Sequence, residues 1–415
     1  MLSLVMTGLK WIGWALILAM LSFGMVACTQ LGLNYASLNV DNKPAARPAL
    51  EQPFDRASAR STFETELYGA WPGDLAIAAS EPVMIDPNYL GGRGTLQEIM
   101  ITLGTGETAR TFPIVLALPN EASTTPVPLV ISQTFADNCS VFPESPVTGP
   151  DGAPCAGSNM TGTVGFIATQ IFGTYIAYAP VERYFDAGLG YASFYGSGFV
   201  PDRNGMAQSV MSDLPSDTPP SSALMSWAFG FAAAAREFEK DPRIQDDAIV
   251  AAGHSRFGKS ALIAAAWSDH IDGAIAHQSG FAGAASNRST AGETLIRMAR
   301  SYPHWLRPDL ARDLADGMEL SLDQHFLLAL AAPKPLFLGN GRRDVWSDPN
   351  STYRMAQAAD AIYEANGVEG LNGTGMRYFA PGDELSYYLR VGGHSVISED
   401  IDAFIAFMTA HFGNR

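Results

Sequence analysis

Short apolar segments alternate with amphipathic helical segments along much of the chain, and this alternation constrains the fold more than any other feature. Segments with the length and composition of strands lie at 96–103, 112–118, 127–132, 175–180, 248–252, 273–276, 335–338 and 376–379. Segments with apolar residues at helical spacing lie at 222–240, 260–267, 323–331, 353–365 and 401–412. The pattern predicts an α/β fold, a three-layer sandwich with helices on both faces of a mostly parallel central sheet. The first strands have no helices between them, so we expect the sheet to begin with antiparallel strands.

The first 28 residues have the pattern of an export signal. Lys10 precedes an apolar segment at 11–26, and Ala27-Cys28 follows that segment. Such a stretch is a targeting signal and not an element of the fold. A cysteine directly after a small residue is typical of the processing site of bacterial lipoproteins. We therefore predict a signal peptide at 1–28 with a lipidation site at Cys28, and simple secretion is the alternative.

The rest of the chain divides into a tether and one domain. Residues 29–53 are polar and contain proline and alanine, which is typical of a linker. Residues 54–415 contain no further segment with the composition of a domain boundary, so they are predicted to form a single catalytic domain. The protein is predicted to be a monomer that is exported, either as a lipoprotein of the periplasm or outer membrane or by secretion.

Charge and cysteine content exclude several classes of partner. The 415 residues carry a formal net charge of −16 and form no basic stripe, which argues against a nucleic-acid partner. Cys139 and Cys155 form an even pair in an exported protein, which predicts a disulfide. Two cysteines without a nearby histidine supply too few ligands for a metal. We expect no metal, no cofactor, and membrane contact only through the N-terminal segment.

Ser255 lies in the pattern of a nucleophile. The strand segment 248–252 and Gly253 precede it, and a helical segment follows. A sharp strand-to-helix turn lifts a serine hydroxyl above a sheet and points a helix N-terminus at the reacting group. The usual pattern has a second glycine two residues after the serine. Here Phe257 occupies that place and Gly258 follows it, so the turn is a G-x-S-x-x-G variant.

A serine nucleophile needs a base within hydrogen-bond reach and an acid that orients the base. In the α/β-hydrolase chain order the acid and then the histidine follow the serine, each in a loop after a strand. Asp344 follows the strand segment 335–338, with Asp348 as the alternative, and His394 ends a Gly-Gly-His sequence after the last strand segment. We therefore predict an α/β-hydrolase fold with Ser255, His394 and Asp344 as the catalytic residues.

The sequence around the serine, GHSRFGKSAL, resembles the Gly-x-Ser-Arg-x-Gly-Lys signature of the glucuronoyl esterases, family 15 of the carbohydrate esterases. Further segments are similar to that family in the same order, namely SWAFG at 226–230, HQSGFAG at 277–283, AGETL at 291–295, PHWL at 303–306, DQHFLLALAAPKP at 323–335 and DVWSDP at 344–349. The resemblance extends from about residue 95 to the C-terminus and is densest between 222 and 394. The region around the two cysteines has no counterpart in it.

The resemblance implies a role for each matching residue. The residues that match the catalytic triad are Ser255, Asp344 and His394. Arg256 matches an arginine that helps to hold the oxyanion. The residues that match contacts to a glucuronate ring are Lys259, Glu293 and Trp346. Many members of the family carry a glutamate where this chain has Gln278, and that glutamate serves as the triad acid. The amide cannot ionise, so the acid role shifts to Asp344, and Gln278 is assigned to the substrate-binding set.

The residue pattern supports parts of this assignment independently. Lys259 lies one helical turn after Ser255, so both side chains can face one pocket. The backbone N–H of Arg256 has the standard position of an oxyanion donor, and its guanidinium offers a charge-assisted second donor. A further donor is expected within 133–135.

Two of the proposed ring contacts have structural alternatives. Glu293 precedes Arg297 by four residues, so the two can instead pair on one helix face. Trp346, two residues after Asp344, is either a stacking surface for a sugar or a core tryptophan.

Together these features predict a serine esterase that hydrolyses esters of (4-O-methyl-)D-glucuronic acid, as in the cross-links between lignin and glucuronoxylan. The same fold and triad acting on another ester, such as an acetylated or feruloylated glycan or a small ester, is one alternative. A non-catalytic, surface-anchored glycan-binding protein is the other. The alcohol part and chain length of the substrate are not encoded in any motif.

Overall fold

The computed structural model describes residues 47–149, 152–153, 155, 169–218, 220–372 and 375–413. The predicted signal peptide, Cys28 and most of the 29–53 tether lie outside these residues, so they stay predictions, as does the single domain from residue 54 onward. In the described part of the chain, no helix has both the length and the apolar character needed to cross a bilayer.

One mixed sheet organises the described residues. Its strands are β1 (Ile77–Ala79), β2 (Val83–Asn88), β3 (Gly94–Leu103), β4 (Arg110–Pro119), β5 (Val127–Thr134), β6 (Gly190–Tyr195), β7 (Ile244–His254), β8 (Gly273–His277), β9 (Leu336–Gly341) and β10 (Leu385–Arg390). They lie in the order β1-β3-β4-β6-β5-β7-β8-β9-β10, and β2 pairs with β3 beside this path. The pairings of β1 to β4, and that of β4 with β6, are antiparallel. All pairings from β6 through β5 to β10 are parallel.

Helices pack on both faces of this sheet. They are α1 (Arg56–Phe63), α2 (Asn138–Val141), α3 (Val181–Asp186), α4 (Met206–Asp213), α5 (Ala223–Phe238), α6 (Arg256–Trp267), α7 (Leu295–Ser301), α8 (Leu310–Ala315), α9 (Gln324–Ala331), α10 (Pro349–Ala365) and α11 (Ser398–Phe412). Side-chain caps set several of their starts: Ser222 accepts a hydrogen bond from the N–H of Met225 at α5, and Asp348 accepts one from the N–H of Ser351 at α10. The α/β fold is therefore confirmed as a mostly parallel sheet flanked by helices.

Successive residues of the central strand β7 face opposite layers, as the pleat of a strand requires. Val250 packs in an apolar cluster that includes Phe407 of α11. Ala251 packs in a larger cluster that includes Trp227 of α5 and Leu262 of α6. A strand buried on both faces reads as a continuous apolar run, which is why β7 was visible in the sequence.

Two predicted strands are wrong. Residues 175–180 contain a short 3-10 turn, Thr174–Ile176, in which the N–H of Tyr175 donates to the carbonyl of Val396. Residues 376–379 lie in a turn, where Phe379 packs its ring edge-on against Phe337. In both segments the aromatic and apolar side chains serve loop packing and not strand pairing.

The strands β6 and β10 take the places of those two in the sheet. The sequence of β6, GYASFY, mixes three small residues with three aromatic residues of high strand propensity. The strands β4 and β5 pair with its two edges. Local propensity and tertiary pairing therefore agree in this strand.

The two cysteines form the predicted disulfide. Cys139 lies in α2, and its Cα is 5.4 Å from that of Cys155. The bridge spans a sequence separation of 16 residues. Cys139 lies five residues after the carboxyl end of β5. The bridge therefore closes a loop that leaves the sheet beside the candidate site.

We expect Cys139→Ser to lower the free energy of unfolding by about 2–4 kcal/mol, because the bridge restricts the unfolded chain across a loop of this length. Urea denaturation of the oxidised protein measures this change. The double variant Cys139→Ser/Cys155→Ser is the matched control and should lose no more stability than the single variant. Equal stability of wild type and single variant under oxidising conditions would contradict the expectation.

Candidate active site

Ser255 occupies the turn between β7 and α6 in a strained backbone conformation. Its φ and ψ are 56° and −123°, a region that non-glycine residues rarely adopt. Its N–H donates a 2.8 Å hydrogen bond to the carbonyl of His277 at the end of β8. The first N–H groups of α6 have no intrahelical partner, so they point out of the helix at this turn. These are the properties expected of a nucleophile beside an oxyanion site.

The altered glycine spacing has a geometric cause. A Cβ on Gly253 would lie 2.2 Å from the carbonyl oxygen of Phe257, so the strand and the helix approach too closely for any side chain there. A Cβ on Gly258 would lie 3.0 Å from the carbonyl of Gly253 and 3.1 Å from that of His277. The ring of Phe257 instead packs edge-on against Trp227 in the core. The second glycine is thus needed one residue later than in the common motif.

His394 and Asp344 form a hydrogen-bonded pair. The Nδ1 of His394 lies 2.7 Å from Oδ2 of Asp344, and Asp344 is fully buried. Burial pushes the pKa of Asp344 upward, but the charge and hydrogen bond of His394 and the bonds from Ser347 outweigh it, so the pKa lies below its ordinary value. The acid is therefore an ionised carboxylate at neutral pH and can hold the imidazole in one orientation.

Asp348, the alternative acid, has a different position. Its carboxylate caps α10 by accepting from the N–H of Ser351 at 3.2 Å, and it also accepts from the hydroxyl of Ser289. It is fully buried at the start of that helix. The carboxylate that contacts His394 is that of Asp344.

Ser255 and His394 line a common cavity of about 650 Å³, within the size range of small-molecule sites. Arg256, Glu293 and Trp346 line the same cavity. The parallel pairing of β7, β8, β9 and β10 explains the convergence, because it brings the carboxyl ends of these strands, and the loops that follow them, to one edge of the sheet.

Arg256 reaches into the cavity while one side of its guanidinium is held. Its Nε lies 2.8 Å from Oδ2 of Asp202. The guanidinium lies over the ring of Phe135 at 4.5 Å and is 5.0 Å from that of Phe257. Its position beside Ser255 suits the predicted oxyanion role.

Lys259 lies behind the cavity wall. Its Nζ donates a 2.5 Å bond to the carbonyl of Ser279, and burial lowers its pKa to about 8 against the opposing charges of Glu293 and Asp344. Glu293 is itself buried in the wall, and that burial raises its pKa although Lys259 opposes the shift. Of these two residues, Glu293 lines the cavity and Lys259 does not. Lys259 therefore acts on the cavity only through its charge.

Trp346 faces the cavity, so the core alternative does not describe it. The guanidinium of Arg297 lies 4.6 Å from the centre of its ring. Arg297 is thus stacked on the tryptophan, and this geometry replaces the alternative of a helix-face pair with Glu293. The N–H of Glu293 donates to the carbonyl of Trp346 at 3.2 Å, which ties the two wall residues together.

Gln278 differs from its predicted role as a substrate contact. Its side chain is buried, with Nε2 donating to the carbonyl of Gly393 at 2.8 Å and Oε1 accepting from the N–H of Ser395 at 3.0 Å. Both bonds bracket His394. The amide is therefore used to hold the loop that carries the base, and it does not line the cavity described above.

The segment 133–135 was expected to supply a further oxyanion donor. The side chain of Gln133 points away from that task, donating to the carbonyl of Trp227 at 2.9 Å and accepting from the hydroxyl of Ser260 at 2.7 Å. Phe135 lines the cavity with its ring. The hydroxyl of Thr134 donates to the carbonyl of Ala136 at 2.8 Å. With these side chains engaged elsewhere, a donor from this segment must be a backbone N–H group.

A buried polar chain beneath the site was not predicted. The ring of His254 packs against that of His394, with centroids 4.4 Å apart and the ring planes tilted by 49°. Its Nδ1 lies 3.0 Å from Nδ1 of His277, whose Nε2 lies 3.1 Å from Oδ1 of Asp400 in α11. Arg390 donates to the same Asp400 oxygen at 2.6 Å. Burial holds the pKa of His254 well below its ordinary value, so a neutral ring supports the base.

Sequence reasoning also missed the residues on the far side of Arg256. The rings of Tyr302 and Trp305 stack in parallel at 3.9 Å, and both line the cavity with Arg256. The only sequence signal for them was the PHWL segment at 303–306, and Asp202 had none. In the described part of the chain, no cluster of three or more histidine, cysteine or acidic side chains is arranged to hold a metal.

The sequence of this chain is similar to those of known carbohydrate esterases. The sequence family described as glucuronyl esterase of fungi matches residues 162–367. Carbohydrate esterase MZ0003, from an unknown prokaryotic organism, is 28% identical over 369 residues, which are 86% of this chain and 84% of that protein. The 4-O-methyl-glucuronoyl methylesterase 1 of Wolfiporia cocos is 25% identical over 296 residues, 68% of this chain and 65% of that protein.

Solved structures of esterases from carbohydrate esterase family 15 have the same fold. A promiscuous esterase of carbohydrate esterase family 15 from a marine bacterial metagenome superimposes with a TM-score of 0.75 at 25% identity, covering 91% of this chain and 100% of that one. The glucuronoyl esterase from Solibacter usitatus gives a TM-score of 0.71 at 26% identity, covering 86% and 91%. The similarity thus extends across nearly all of the described fold.

We expect Gln278→Glu to lower both activity and stability. A carboxylate would place an oxygen where the amide now donates to the carbonyl of Gly393, and an unsatisfied buried polar pair costs about 1–3 kcal/mol. We expect kcat to fall about tenfold, because one side of the loop that carries His394 is released. Steady-state kinetics and thermal melting of Gln278→Glu measure both effects, with Gln357→Glu on the exposed face of α10 as the control. A fully active Gln278→Glu would show that the carboxylate is accepted there.

Proposed function

We propose that the chain is a glucuronoyl esterase that hydrolyses esters of (4-O-methyl-)glucuronic acid through Ser255, His394 and Asp344. The observation that carries this proposal is the hydrogen bond between half-buried His394 and buried Asp344, with His394 lining the same cavity as the strained Ser255. The names of the relatives, a carbohydrate esterase and several 4-O-methyl-glucuronoyl methylesterases, support the substrate class.

The proposed reaction is acyl transfer through a covalent intermediate. His394 accepts the proton of Ser255 as its hydroxyl oxygen attacks the carboxyl carbon of the ester. The N-terminal N–H groups of α6 and the guanidinium of Arg256 stabilise the negative charge that develops on the carbonyl oxygen. The alcohol then leaves with the proton from His394. Water, activated by the same imidazole, hydrolyses the acyl-enzyme and releases glucuronate.

The cavity wall suits a uronate ring. Glu293 offers acceptor oxygens for ring hydroxyls from a buried position, where a hydrogen bond is worth more than in water. Trp346 offers a flat apolar surface for a sugar face, and its other contact, with Arg297, fixes the ring. Lys259 keeps positive charge next to Glu293 and so favours its ionised form.

The proposed partner is a glucuronate ester of a plant cell-wall polysaccharide. We further propose that the protein is exported by its first 28 residues and anchored through a lipid on Cys28, and that it acts as a monomer. These proposals rest on the sequence pattern, since that segment lies outside the described residues.

A broader ester specificity is the second candidate. One structural relative is named a promiscuous esterase, and Ile171 and Phe172 give this cavity an exposed apolar edge. Such an edge accepts the alcohol part of many esters. The substrate comparison below separates this candidate from the first.

Wild-type protein is expected to cleave benzyl glucuronate with a higher kcat/KM than p-nitrophenyl acetate, and Ser255→Ala is expected to lose both activities by a factor on the order of 10⁴–10⁶. Release of benzyl alcohol and of nitrophenol measures the two rates. Cleavage of the acetate alone would support the broader esterase. Activity that survives Ser255→Ala would contradict the nucleophile, and no activity of wild type on either ester would favour a glycan-binding protein.

The two candidate acids can be separated by matched amide variants. Asp344→Asn should lower kcat by about 10⁴, because an amide no longer stabilises the imidazolium of His394. Asp348→Asn should change kcat less than about tenfold, because the asparagine oxygen can still accept from the N–H of Ser351 and cap α10. The reverse ranking of kcat would make Asp348 the acid.

A further inference from the structure

Asp202 joins three side chains that the proposed reaction leaves unexplained. It lies in the loop between β6 and α4, and its side chain is largely buried. Its Oδ1 accepts from Nε1 of Trp305 at 2.6 Å and lies 2.8 Å from Nε2 of His304. Its Oδ2 lies 2.8 Å from Nε of Arg256. One oxygen is thus anchored to the PHWL segment while the other faces the arginine.

The guanidinium of Arg256 depends on this carboxylate for its orientation. Its other contacts are aromatic: Phe135 and Phe257, already described, and Trp305 at 5.8 Å. A stack on aromatic faces lets a planar cation slide and turn, because the attraction depends weakly on rotation in the plane. The Nε of Arg256 makes no hydrogen bond in the described residues, so its contact with Asp202 is an ion pair at 2.8 Å. This ion pair is the charged contact that holds the guanidinium to one side of the cavity that Arg256 lines.

The charge state of Asp202 suits this task. Burial pushes its pKa upward, but the hydrogen bond from His304, the charge of Arg256 and the bond from Trp305 outweigh it, so its pKa lies below its ordinary value. The carboxylate of Asp202 is therefore ionised at neutral pH in the folded protein.

We propose that Asp202 is a positioning residue that orients the guanidinium of Arg256 toward the oxyanion, with His304 and Trp305 fixing the carboxylate in turn. This inference rests on the oxyanion role proposed for Arg256. Asp202 itself touches neither the serine nor the base; it acts on the reaction through the arginine alone.

The variant Asp202→Asn tests the proposal with little change in shape. The carbonyl oxygen of the new asparagine can still accept from the Nε1 of Trp305. Its NH₂ group would face the N–H groups of Arg256, and two donors cannot bond to each other. We expect kcat to fall by about 10- to 100-fold, less than the 10²–10³-fold loss typical of deleting an oxyanion donor, with KM changed less than about twofold. Asp213→Asn, at the exposed end of α4, is the control for loss of one negative charge.

Chemical rescue separates positioning from a structural role. Guanidinium ion added to Arg256→Ala should restore part of kcat, because Asp202 and the aromatic faces still form its slot. The same ion should not rescue Arg256→Ala/Asp202→Asn. Equal rescue in both backgrounds, or an unchanged kcat in a folded Asp202→Asn, would overturn the proposal. If Asp202→Asn does not fold, His304→Phe takes its place, because it removes the anchoring hydrogen bond at Oδ1 and keeps an aromatic ring outside the cavity lining. It should lower kcat in the same direction.

The substrates keep this test separate from the proposed function. All variants are measured on both benzyl glucuronate and p-nitrophenyl acetate. If wild type cleaves only the acetate, the glucuronate assignment fails, while the effect of Asp202→Asn on acetate turnover still decides whether the arginine is positioned by this carboxylate.

Discussion

The near-contact between the end of β7 and the first turn of α6 determines the rest of the site. Gly253 faces the carbonyl of Phe257 at a distance that no side chain permits, and the strain of that approach appears at Ser255. The hydrogen bond from the Ser255 N–H to β8 holds the turn closed. Backbone strain costs on the order of 1–3 kcal/mol and persists only where the surroundings over-determine it, which here means the fully buried strands on both sides.

The base is held from several directions because it lies on a loop and not on an element. Gln278 brackets it through the backbone on both sides, and Asp344 fixes its Nδ1. Below it, the neutral ring of His254 forms a floor. Gln278 and His254 are neutral, so they restrict the orientation of the His394 imidazole without adding a charge that would change its basicity.

The fold class and the reacting residues were predictable because each has a local signature. The buried parallel strands read as apolar runs, and Ser255, Asp344 and His394 each follow a strand in the expected chain order. Strand β6 was missed because its glycine, alanine and serine interrupt the apolar run, although its three aromatic residues favour a strand. The strands placed at 175–180 and 376–379 failed for the opposite reason, as their aromatic residues pack as loops.

The supporting residues escaped prediction because their partners are far away in sequence. Asp202 pairs with Arg256 and with the PHWL segment about 100 residues on, and no spacing rule connects them. Gln278 was assigned from its position in a family pattern, whereas its two hydrogen bonds to the loop of His394 are a property of the folded chain alone. Sequence thus identifies groups that react and overlooks groups that hold them.

The buried chain from His254 through His277 ends at Asp400, and Asp400 belongs to α11. Arg390 joins the same carboxylate to the backbone and hydroxyl of Ser395, next to the base. His254 lies far earlier in the chain than Asp400, so the support beneath the base is complete only once α11 has packed against the sheet. Loss of α11 would therefore weaken the site from below while Asp344 and Gln278 still hold His394 from the sides.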